Sequence, residues 1–558
     1  MQEQIRQEYE HWLRHTTGAL HEELASIAQD EVKIEDAFYT HLAFGTGGLR
    51  GVLGAGTNRM NVHTIARASK GYADYLNNSK TGGSVVISYD SRNFSDVFAR
   101  VTATVFAQNG IKAYLFRTLM PTPVCSYAVR ALKADAGVMV TASHNPKQYN
   151  GYKAYGPDGC QITNEVADGV LACINAVTDY FSVGIGDFDA LLAEGKIVYI
   201  DDSVYQGFLA AVEKLSVLDN GVKNTKIVYS PLNGTGNIPV RDILARRGFD
   251  KVTVVPEQEY PDGNFTTCPY PNPEIKEALA LAIALGEKTD ADLVLATDPD
   301  CDRVGIAVRK EKGGEFVLIS GNEVGILLTD YLFRERHELG TLPADPVIVR
   351  TIVTTDMVDD IAHEYGADVR VTLTGFKYIG EVITDLAEVG QADRYVLGFE
   401  ESYGYMSGEH VRDKDAVNAS MLIAEMCEYY AREGKTLYET LMGIYQKYGY
   451  FKSFQKSIAF EGAAGVREMN EKLTALRANP PAKIASYDVR GIKDYKQGID
   501  GLPKSDVLMY ALDGIKVFAR PSGTEPKLKI YLLARAKSFA ELDALYAEIM
   551  PFMEGLFR

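Results

Sequence analysis

The stretch "SVVISYDSRNFSDVFARVTATVFAQNGIKAYLF", residues 84–116, carries the pattern that decides the fold. Its β-branched start (84–92) predicts a strand and a polar turn, residues 96–110 predict a helix closed by an Asn-Gly pair, and residues 111–116 predict a second strand. The order strand, helix, strand is typical of α/β layers with largely parallel sheets.

The same pattern returns at 225–236 and at 346–357, so it occurs three times at a spacing of about 120–140 residues. Residues 513–536 instead alternate apolar and polar positions around a glycine-containing loop, which is typical of an antiparallel sheet. We therefore predict a four-domain α/β protein: three similar α/β domains with mixed, mainly parallel sheets, then a C-terminal α+β domain with an antiparallel sheet. The predicted segments are a helical extension packed on domain 1 (1–40), domain 1 (41–205), domain 2 (206–318), domain 3 (319–450) and domain 4 (451–558).

The composition argues against several classes of protein. A net charge of −17 argues against nucleic-acid binding, which needs a basic surface. No uncharged apolar run approaches the ~18 residues of a membrane span. The N-terminal "MQEQIRQEYEHWLRH" is polar, unlike a signal peptide, and the six cysteines lack metal-ligand spacing, so we expect reduced thiols in the cytoplasm. An anionic substrate must then be attracted by local basic groups.

Ligands of open α/β sheets bind beyond the carboxyl ends of the strands, so the loops after strands are candidate sites. In "VMVTASHNPKQYNGYK" (138–153) a strand leads directly into Ser143 and His144, and Lys153 follows in the same segment. A serine hydroxyl is a poor nucleophile unless a base assists it or it already carries a transferable group. This loop alone fits a Ser/Asn turn as well as it fits a nucleophile.

A second loop, "LVLATDPDCDRVGI" (293–306), presents Asp298, Asp300 and Asp302 at alternate positions after a strand. Three clustered carboxylates require a compensating cation, and oxygen-only ligands indicate Mg²⁺ or Ca²⁺. An EF-hand is excluded because Arg303 and Arg309 stand where that loop needs Gly and Glu. Three protein ligands suit Mg²⁺; a solvated acidic turn is the alternative.

A third loop, "YVLGFEESYGYMSGEHVRDKDAV" (395–417), places Glu400 and Ser402 after a strand, among glycines that allow a ligand to approach. A carboxylate and a hydroxyl two residues apart can bind adjacent hydroxyls of a sugar, and Lys414 follows in the same segment. The alternative is a helix N-cap with scattered charges.

A fourth loop, "ARPSGTEPKLKI" (519–530), combines the parts of an anion nest: a guanidinium, two hydroxyls, backbone N–H groups and an ammonium. It lacks the Walker pattern, and a plain hairpin turn is the alternative. The residues are Arg520, Ser522, Gly523, Thr524 and Lys527. Together the four loops offer a nucleophile, a hard metal, a polyol-binding loop and a phosphate cradle, which is the equipment of phosphoryl transfer on a sugar phosphate.

The sequence resembles the α-D-phosphohexomutase superfamily, and within it the phosphoglucomutase/phosphomannomutase branch of longer chains that also includes phosphopentomutases. The resemblance extends from about residue 40 to the C-terminus. It rests on six motifs in the family's order: "FGTGGLRG" (44–51), "TASHNPKQYNGYK" (141–153), "DPDCDR" (298–303), "TGFKYIGE" (374–381), "GFEESYG" (398–404) and "RPSGTEPK" (520–527).

This resemblance implies a role for each motif. Ser143 is then a phosphoserine, and Mg²⁺ is held by Asp298, Asp300, Asp302 and a phosphate oxygen on Ser143. The implied catalytic residues are Ser143, His144, Lys153, Arg50, Arg303 and Lys414, of which His144 and Lys153 are favoured for proton transfer or charge stabilisation. The implied substrate-binding residues are Thr374, Gly375, Lys377, Glu400, Ser402, Lys414, Arg520, Ser522, Gly523, Thr524 and Lys527.

The activity implied by the resemblance is reversible interconversion of α-D-glucose 1-phosphate and glucose 6-phosphate through bound glucose 1,6-bisphosphate. Mannose or pentose phosphates are the alternative substrates, and a non-catalytic sugar-phosphate binder is a remote alternative. The form "GFEESYGY" departs from the "GEMSGH" of bacterial dual-specificity enzymes, because Gly404 stands where their histidine would be. The expected partner is a small sugar phosphate, with no nucleic acid or membrane, for a monomer or homodimer.

Overall fold

The structure is a computed structural model that describes residues 3–45, 47–79, 82–460, 462–521 and 527–557. Three mixed α/β sheets are followed along the chain by an antiparallel sheet, which confirms the predicted four-domain α/β architecture. The exact domain boundaries stay predictions.

Three helices precede the first sheet: α1 (Glu3–His15), α2 (Gly18–Ser26) and α3 (Glu31–Phe38). The fully buried Trp12 fixes them to domain 1, since its ring meets those of Tyr180 and Phe181 edge-to-face at centroid distances of 5.2 and 5.3 Å.

Six strands form the sheet of domain 1: β1 (Leu49–Val52), β2 (Ser84–Tyr89), β3 (Lys112–Leu115), β4 (Ala136–Val140), β5 (Tyr149–Tyr155) and β6 (Ile197–Tyr199). The helices of this part of the chain are α4 (Val62–Ser79), α5 (Ser95–Gln108), α6 (Thr122–Ala131), α7 (Asn164–Ala176), α8 (Phe188–Ala193) and α9 (Asp202–Glu213). The strand order is β1-β5-β4-β2-β3-β6, and β4, β2, β3 and β6 are parallel. The elements β2, α5 and β3 confirm the strand, helix and strand predicted within 84–116.

Domain 2 repeats this plan with β7 (Ile227–Ser230), β8 (Val252–Val254), β9 (Leu293–Thr297), β10 (Val304–Arg309) and β11 (Phe316–Ile319), and with α10 (Asn237–Arg246) and α11 (Lys276–Thr289). Its strand order is β11-β10-β9-β7-β8, with β9, β7 and β8 parallel. The parallel strand β9 is buried along its whole length, as expected for a strand covered on both faces.

Domain 3 contains β12 (Val347–Thr351), β13 (Asp368–Thr372), β14 (Tyr395–Glu400) and β15 (Gly404–Met406) in the order β13-β12-β14-β15. Its helices are α12 (Gly321–Glu338), α13 (Met357–His363), α14 (Phe376–Glu388), α15 (Ala416–Arg432) and α16 (Leu437–Tyr448). The first three strands of that order are parallel and β15 is antiparallel.

Domain 4 is antiparallel, as its alternating pattern predicted. Its strands are β16 (Tyr450–Ala459), the small pair β17 (Lys483–Ile484) and β18 (Tyr487–Asp488), β19 (Gly491–Asp494), β20 (Leu508–Leu512), β21 (Ile515–Pro521) and β22 (Lys527–Ala536), and its helices are α17 (Gly462–Ala478) and α18 (Phe539–Phe557). The main sheet has the order β16-β22-β21-β20-β19. Helix α18 packs on β16 and β22.

The carboxyl ends of β4, β9 and β14 meet at one cleft, where each strand continues into one of the candidate loops named above. In the described part of the chain, none of the helices combines the length and apolar character that crossing a bilayer requires.

Candidate active site

Ser143 follows β4 and opens a segment, residues 143–149, that ends at the first residue of β5 and is called the Ser143 loop below. Its hydroxyl donates to Oδ2 of Asp298 in domain 2 at 3.0 Å and lies 3.2 Å from Nδ1 of His144. Its backbone N–H donates to Thr141 Oγ1 at 2.8 Å. The backbone of Ser143 is left-handed, with φ of 52°, a conformation that a residue with a side chain adopts at an energetic cost. The loop thereby presents the hydroxyl directly to a carboxylate of the next domain.

Asp298, Asp300 and Asp302 form a compact group after β9, and each residue is at most 1% exposed. One ligand oxygen from each lies within 4.8 Å of the others. Among the described residues, the buried Oδ1 atoms of Asp300 and Asp302 have no hydrogen-bond partner. Burial, followed by repulsion from Asp300 and Asp302, raises the pKa of Asp298 well above its usual range. Buried carboxylates with unpaired oxygens fit a hard divalent cation, and the thiol of Cys301, beside Thr297, is not part of the group.

Two lysines from different domains neutralise part of this charge. Lys153 Nζ donates to Oδ2 of Asp300 at 2.7 Å and of Asp302 at 2.8 Å. Lys414 Nζ lies 3.0 Å from the same oxygen of Asp302 and 3.2 Å from Asp413 Oδ1. Burial alone would lower the pKa of each lysine, but the neighbouring carboxylates outweigh it and raise both pKa values. Both lysines are therefore protonated cations rather than bases.

His144 has the opposite character. Burial, together with the positive charges of Arg303 and Arg50, lowers its pKa well below the usual range. The imidazole is therefore neutral near pH 7 and can accept a proton beside the Ser143 hydroxyl.

Arg50 and Arg303 complete this end of the cleft. Arg50 donates through Nη1 to Oδ1 of Asn145 at 3.2 Å, so it contacts the Ser143 loop. Arg303 donates to Glu274 Oε1 at 2.6 Å, and its Nε lies 3.7 Å from Asp302 Oδ1. Both residues line the cleft.

The cleft has a volume of about 510 Å³ and is lined by all four domains. Glu400, the last residue of β14, and Ser402 line it, and Glu400 Oε1 accepts a hydrogen bond from the backbone N–H of Gly375 at 2.7 Å. Thr374 also lines it, and its buried hydroxyl has no hydrogen-bond partner in the described part of the chain. A carboxylate, two hydroxyls and a backbone loop are groups that bind a polyol.

Lys377, expected to bind substrate, lies outside this cleft. Its ammonium donates to Asn164 Oδ1 at 2.7 Å in a neighbouring groove between domains 1 and 3. Arg520 and Lys527 do line the cleft. The predicted nest residues Ser522, Gly523 and Thr524 lie outside the described residues.

Sequence reasoning missed three charged groups of the cleft: Glu274, Lys529 and Glu401. In the register of the sheet, Lys529 on β22 lies opposite Arg520 on β21 and opposite Ser457 on β16. A usable signal existed, because alternate residues of a strand share a face and Lys527 already belonged to the predicted site. Glu401 lies within 3.5 Å of the hydroxyls of Thr351 and Thr354, and burial followed by repulsion from Glu400 raises its pKa to about 7. Burial is a tertiary property, so the sequence offered no signal for it.

Cations outnumber carboxylates among the described residues that line the cleft. The cations are Arg50, Lys153, Arg303, Lys414, Arg520, Lys527 and Lys529, and the carboxylates are Glu274, Asp302, Glu400 and Glu401. A locally basic cleft in a protein of net charge −17 is the arrangement expected for an anionic ligand.

Comparison with known proteins agrees with this geometry. Sequence models of the phosphoglucomutase/phosphomannomutase family match its alpha/beta/alpha domain I at residues 41–181, domain II at 205–313 and domain III at 320–448. A phosphoglucomutase from Staphylococcus haemolyticus is 34% identical over 547 residues, which cover 96% of this chain and 97% of that protein. A phosphoglucomutase from Staphylococcus saprophyticus is 35% identical over 545 residues, which cover 95% and 97%.

The fold is also found in solved structures. A phosphoglucomutase/phosphomannomutase family protein from Burkholderia thailandensis superposes with a TM-score of 0.68 at 19% identity, over 92% of this chain and 97% of that chain. Fold and sequence together define an isomerase that transfers a phosphoryl group. The chain belongs to the phosphoglucomutase/phosphomannomutase family of the α-D-phosphohexomutase superfamily.

Proposed function

We propose that the protein is an α-phosphoglucomutase, which reversibly interconverts α-D-glucose 1-phosphate and glucose 6-phosphate through a phosphorylated Ser143 and a bound glucose 1,6-bisphosphate. The observation that carries the proposal is the 3.0 Å hydrogen bond from the Ser143 hydroxyl to Asp298, at one end of a basic cleft. The phosphoglucomutase names of relatives at 34% and 35% identity favour glucose as the sugar.

Asp298, Asp300 and Asp302 would hold Mg²⁺ together with a phosphate oxygen on Ser143. The Oδ1 atoms of Asp300 and Asp302 support this assignment, because they accept no hydrogen bond from the described residues and buried carboxylate oxygens need a partner. When bound, Mg²⁺ withdraws negative charge from the transferring phosphoryl group.

In the first transfer, the bond between phosphorus and Ser143 Oγ breaks, and a bond forms to the free hydroxyl of the hexose monophosphate. That hydroxyl loses its proton, which the neutral imidazole of His144 can accept. Lys153 and Lys414 stay protonated and supply fixed positive charge to the reacting groups. The bisphosphate then turns over in the cleft. The bond between its other phosphorus and the sugar oxygen breaks, that phosphoryl group returns to Ser143 Oγ, and the sugar oxygen takes back the proton that His144 accepted.

The opposite end of the cleft would hold the sugar and the phosphate that is not transferred. Glu400 and Ser402 would bind sugar hydroxyls in both orientations, and Arg520 and Lys527 would bind the phosphate by charge-assisted hydrogen bonds. The nest motif at 520–527 would contribute its hydroxyls and backbone N–H groups to the same phosphate.

Substrate comparison tests the choice of sugar. We expect kcat/KM to be highest for glucose 1-phosphate when glucose, mannose and ribose 1-phosphates are compared with catalytic amounts of the matching bisphosphate. A preference for mannose or ribose would replace α-phosphoglucomutase by phosphomannomutase or phosphopentomutase.

The Ser143→Ala variant tests the mechanism. Intact-mass measurement should find one phosphate on the wild-type protein and none on this variant, whose mutase activity should be lost. Unchanged activity in Ser143→Ala would refute the phosphoserine mechanism. Wild-type protein that binds glucose 1-phosphate without converting it would instead indicate a sugar-phosphate binder.

A further inference from the structure

Arg92 lies just beyond β2, beneath the Ser143 loop, and does not line the cleft. Its Nη1 donates to the carbonyl oxygens of Pro146 at 3.0 Å and Tyr149 at 3.2 Å. Its Nη2 donates to the carbonyl oxygens of Ser143 and Asn145. One guanidinium thus binds four carbonyl groups of a single loop, which its fixed fork of donors makes possible.

Arg92 is itself held rigidly. Its side chain and that of Asp90 are both 0% exposed, and Nε lies 3.3 Å from Asp90 Oδ2. The other oxygen of Asp90 accepts from the Ser95 hydroxyl at 2.7 Å and from the Arg92 backbone N–H at 3.0 Å. The guanidinium also lies 5.0 Å from the ring centroid of Phe265, which belongs to domain 2. A buried cation anchored on three sides is a fixed support rather than a mobile side chain.

The conformation of Ser143 explains why such a support is needed. A left-handed backbone at a residue other than glycine costs free energy and persists only where its surroundings over-determine it. Its carbonyl group, which helps to define that backbone, is bound by Arg92.

We propose that Arg92 is a positioning residue for phosphoryl transfer: by binding four carbonyl groups of the Ser143 loop, it fixes the left-handed backbone of Ser143 and so aligns Ser143 Oγ with Asp298. This inference rests on the proposed function. It predicts that Arg92 affects the rate of transfer and not the binding of the sugar phosphate.

The test uses Arg92→Met, Arg92→Lys and a matched control, Arg309→Met. Arg309 in domain 2 is also buried and lies outside the cleft. Its Nε donates to the Ala291 carbonyl at 2.9 Å, and its Nη1 donates to Glu287 at 2.7 Å. Its guanidinium lies 3.9 Å from the Phe316 ring centroid, so its environment is similar to that of Arg92. Loss of either arginine should lower the thermal midpoint of unfolding. Of these two arginines, Arg92 contacts the Ser143 loop and Arg309 does not.

We expect Arg92→Met to lower kcat about 100-fold, the size of effect that a misplaced reacting group produces, with KM changed less than about threefold. Arg92→Lys should lower kcat about 10-fold, because an ammonium keeps the charge but cannot bind four carbonyl groups. Ser143 should lose its phosphate when glucose 1-phosphate is added. The rate of this loss, measured by rapid quenching and intact mass, should fall most in Arg92→Met and less in Arg92→Lys. Calorimetric affinity for glucose 1-phosphate should stay unchanged.

The inference is wrong if Arg92→Met slows transfer no more than Arg309→Met does, or if only KM rises. Should Arg92→Met fail to fold, Arg92→Lys decides by the same two criteria. The proposed function is judged separately on the wild-type protein: without mutase turnover and without phosphate on Ser143 it fails, and this inference fails with it.

Discussion

At the Ser143 end of the cleft, oppositely charged groups from three domains are joined by direct contacts, whereas at the domain 4 end groups of like charge lie beside each other. Ser143 of domain 1 binds Asp298 of domain 2, and Lys153 of domain 1 and Lys414 of domain 3 both pair with Asp302. Because the reacting groups already contact one another, this end is preorganised for transfer.

The domain 4 end brings like charges together on each side. Arg520 and Lys529 are neighbours on adjacent strands, and burial followed by the charge of Arg520 lowers the pKa of Lys529. In domain 3, burial followed by repulsion from Glu400 raises the pKa of Glu401. A phosphate placed near the two cations would relieve their repulsion, so this end is suited to recognition. Substitutions at the first end should therefore change kcat, and those at the second end should change KM or pH dependence.

The largest effect is expected for Asp300→Asn. The variant removes one of three carboxylates of the predicted metal site and a partner of Lys153, so we expect kcat to fall at least ~1,000-fold and half-maximal activity to need more Mg²⁺. Activity titrated with Mg²⁺, and Mg²⁺ binding measured by calorimetry, check the expectation. Asp290→Asn, which removes an exposed lysine-paired carboxylate of the same domain, is the control. Wild-type Mg²⁺ affinity in Asp300→Asn would contradict the metal assignment.

A smaller effect, on KM, is expected for Lys529→Met. Loss of one charge-assisted contact to phosphate should raise KM about 10- to 100-fold and change kcat less than about threefold. Lys456→Met is the matched control, because Lys456 on β16 pairs with Glu554 away from the cleft. Steady-state kinetics on glucose 1-phosphate separate the two parameters. A fall in kcat without a rise in KM would place Lys529 at the transferring phosphate instead.

The order of strands and helices could be predicted from the sequence because it depends on local periodicity. The elements within 84–116 and the strands β21 and β22 of domain 4 follow from the spacing of apolar residues alone. Ser143 and the three aspartates could be found for a related reason, since each follows a strand directly and lies in a dense cluster of polar residues. Both kinds of signal lie within one short segment.

Other features depend on contacts between distant segments, which local patterns do not contain. Lys377 lies in a motif of the family, yet the way α14 packs on domain 1 directs its ammonium to Asn164. Arg92 stands in an unremarkable polar turn, and only the fold brings it beneath residues 143–149. The pKa of Glu401 depends on burial between domains 3 and 4. The packing of the domains and the register of the strands determine the position of Lys377, the position of Arg92 and the pKa of Glu401.

The smallest effect is expected for Glu401→Gln and concerns stability against pH. The pKa of Glu401 is about 7 against an ordinary value of 4.5, so the folded protein keeps a proton that the unfolded chain releases between these values. The free energy of unfolding should therefore fall as pH rises from about 4.5 to about 7, by ~3 kcal/mol from this group. Glu401→Gln should lack that decline, whereas Glu338→Gln, at an exposed position of α12, should keep it. Thermal midpoints at about pH 5 and about pH 8 measure the difference. An identical pH dependence in wild type and Glu401→Gln would mean that Glu401 is already ionised at pH 5, and the recognition end would then carry a permanent negative charge against which the substrate phosphate must bind.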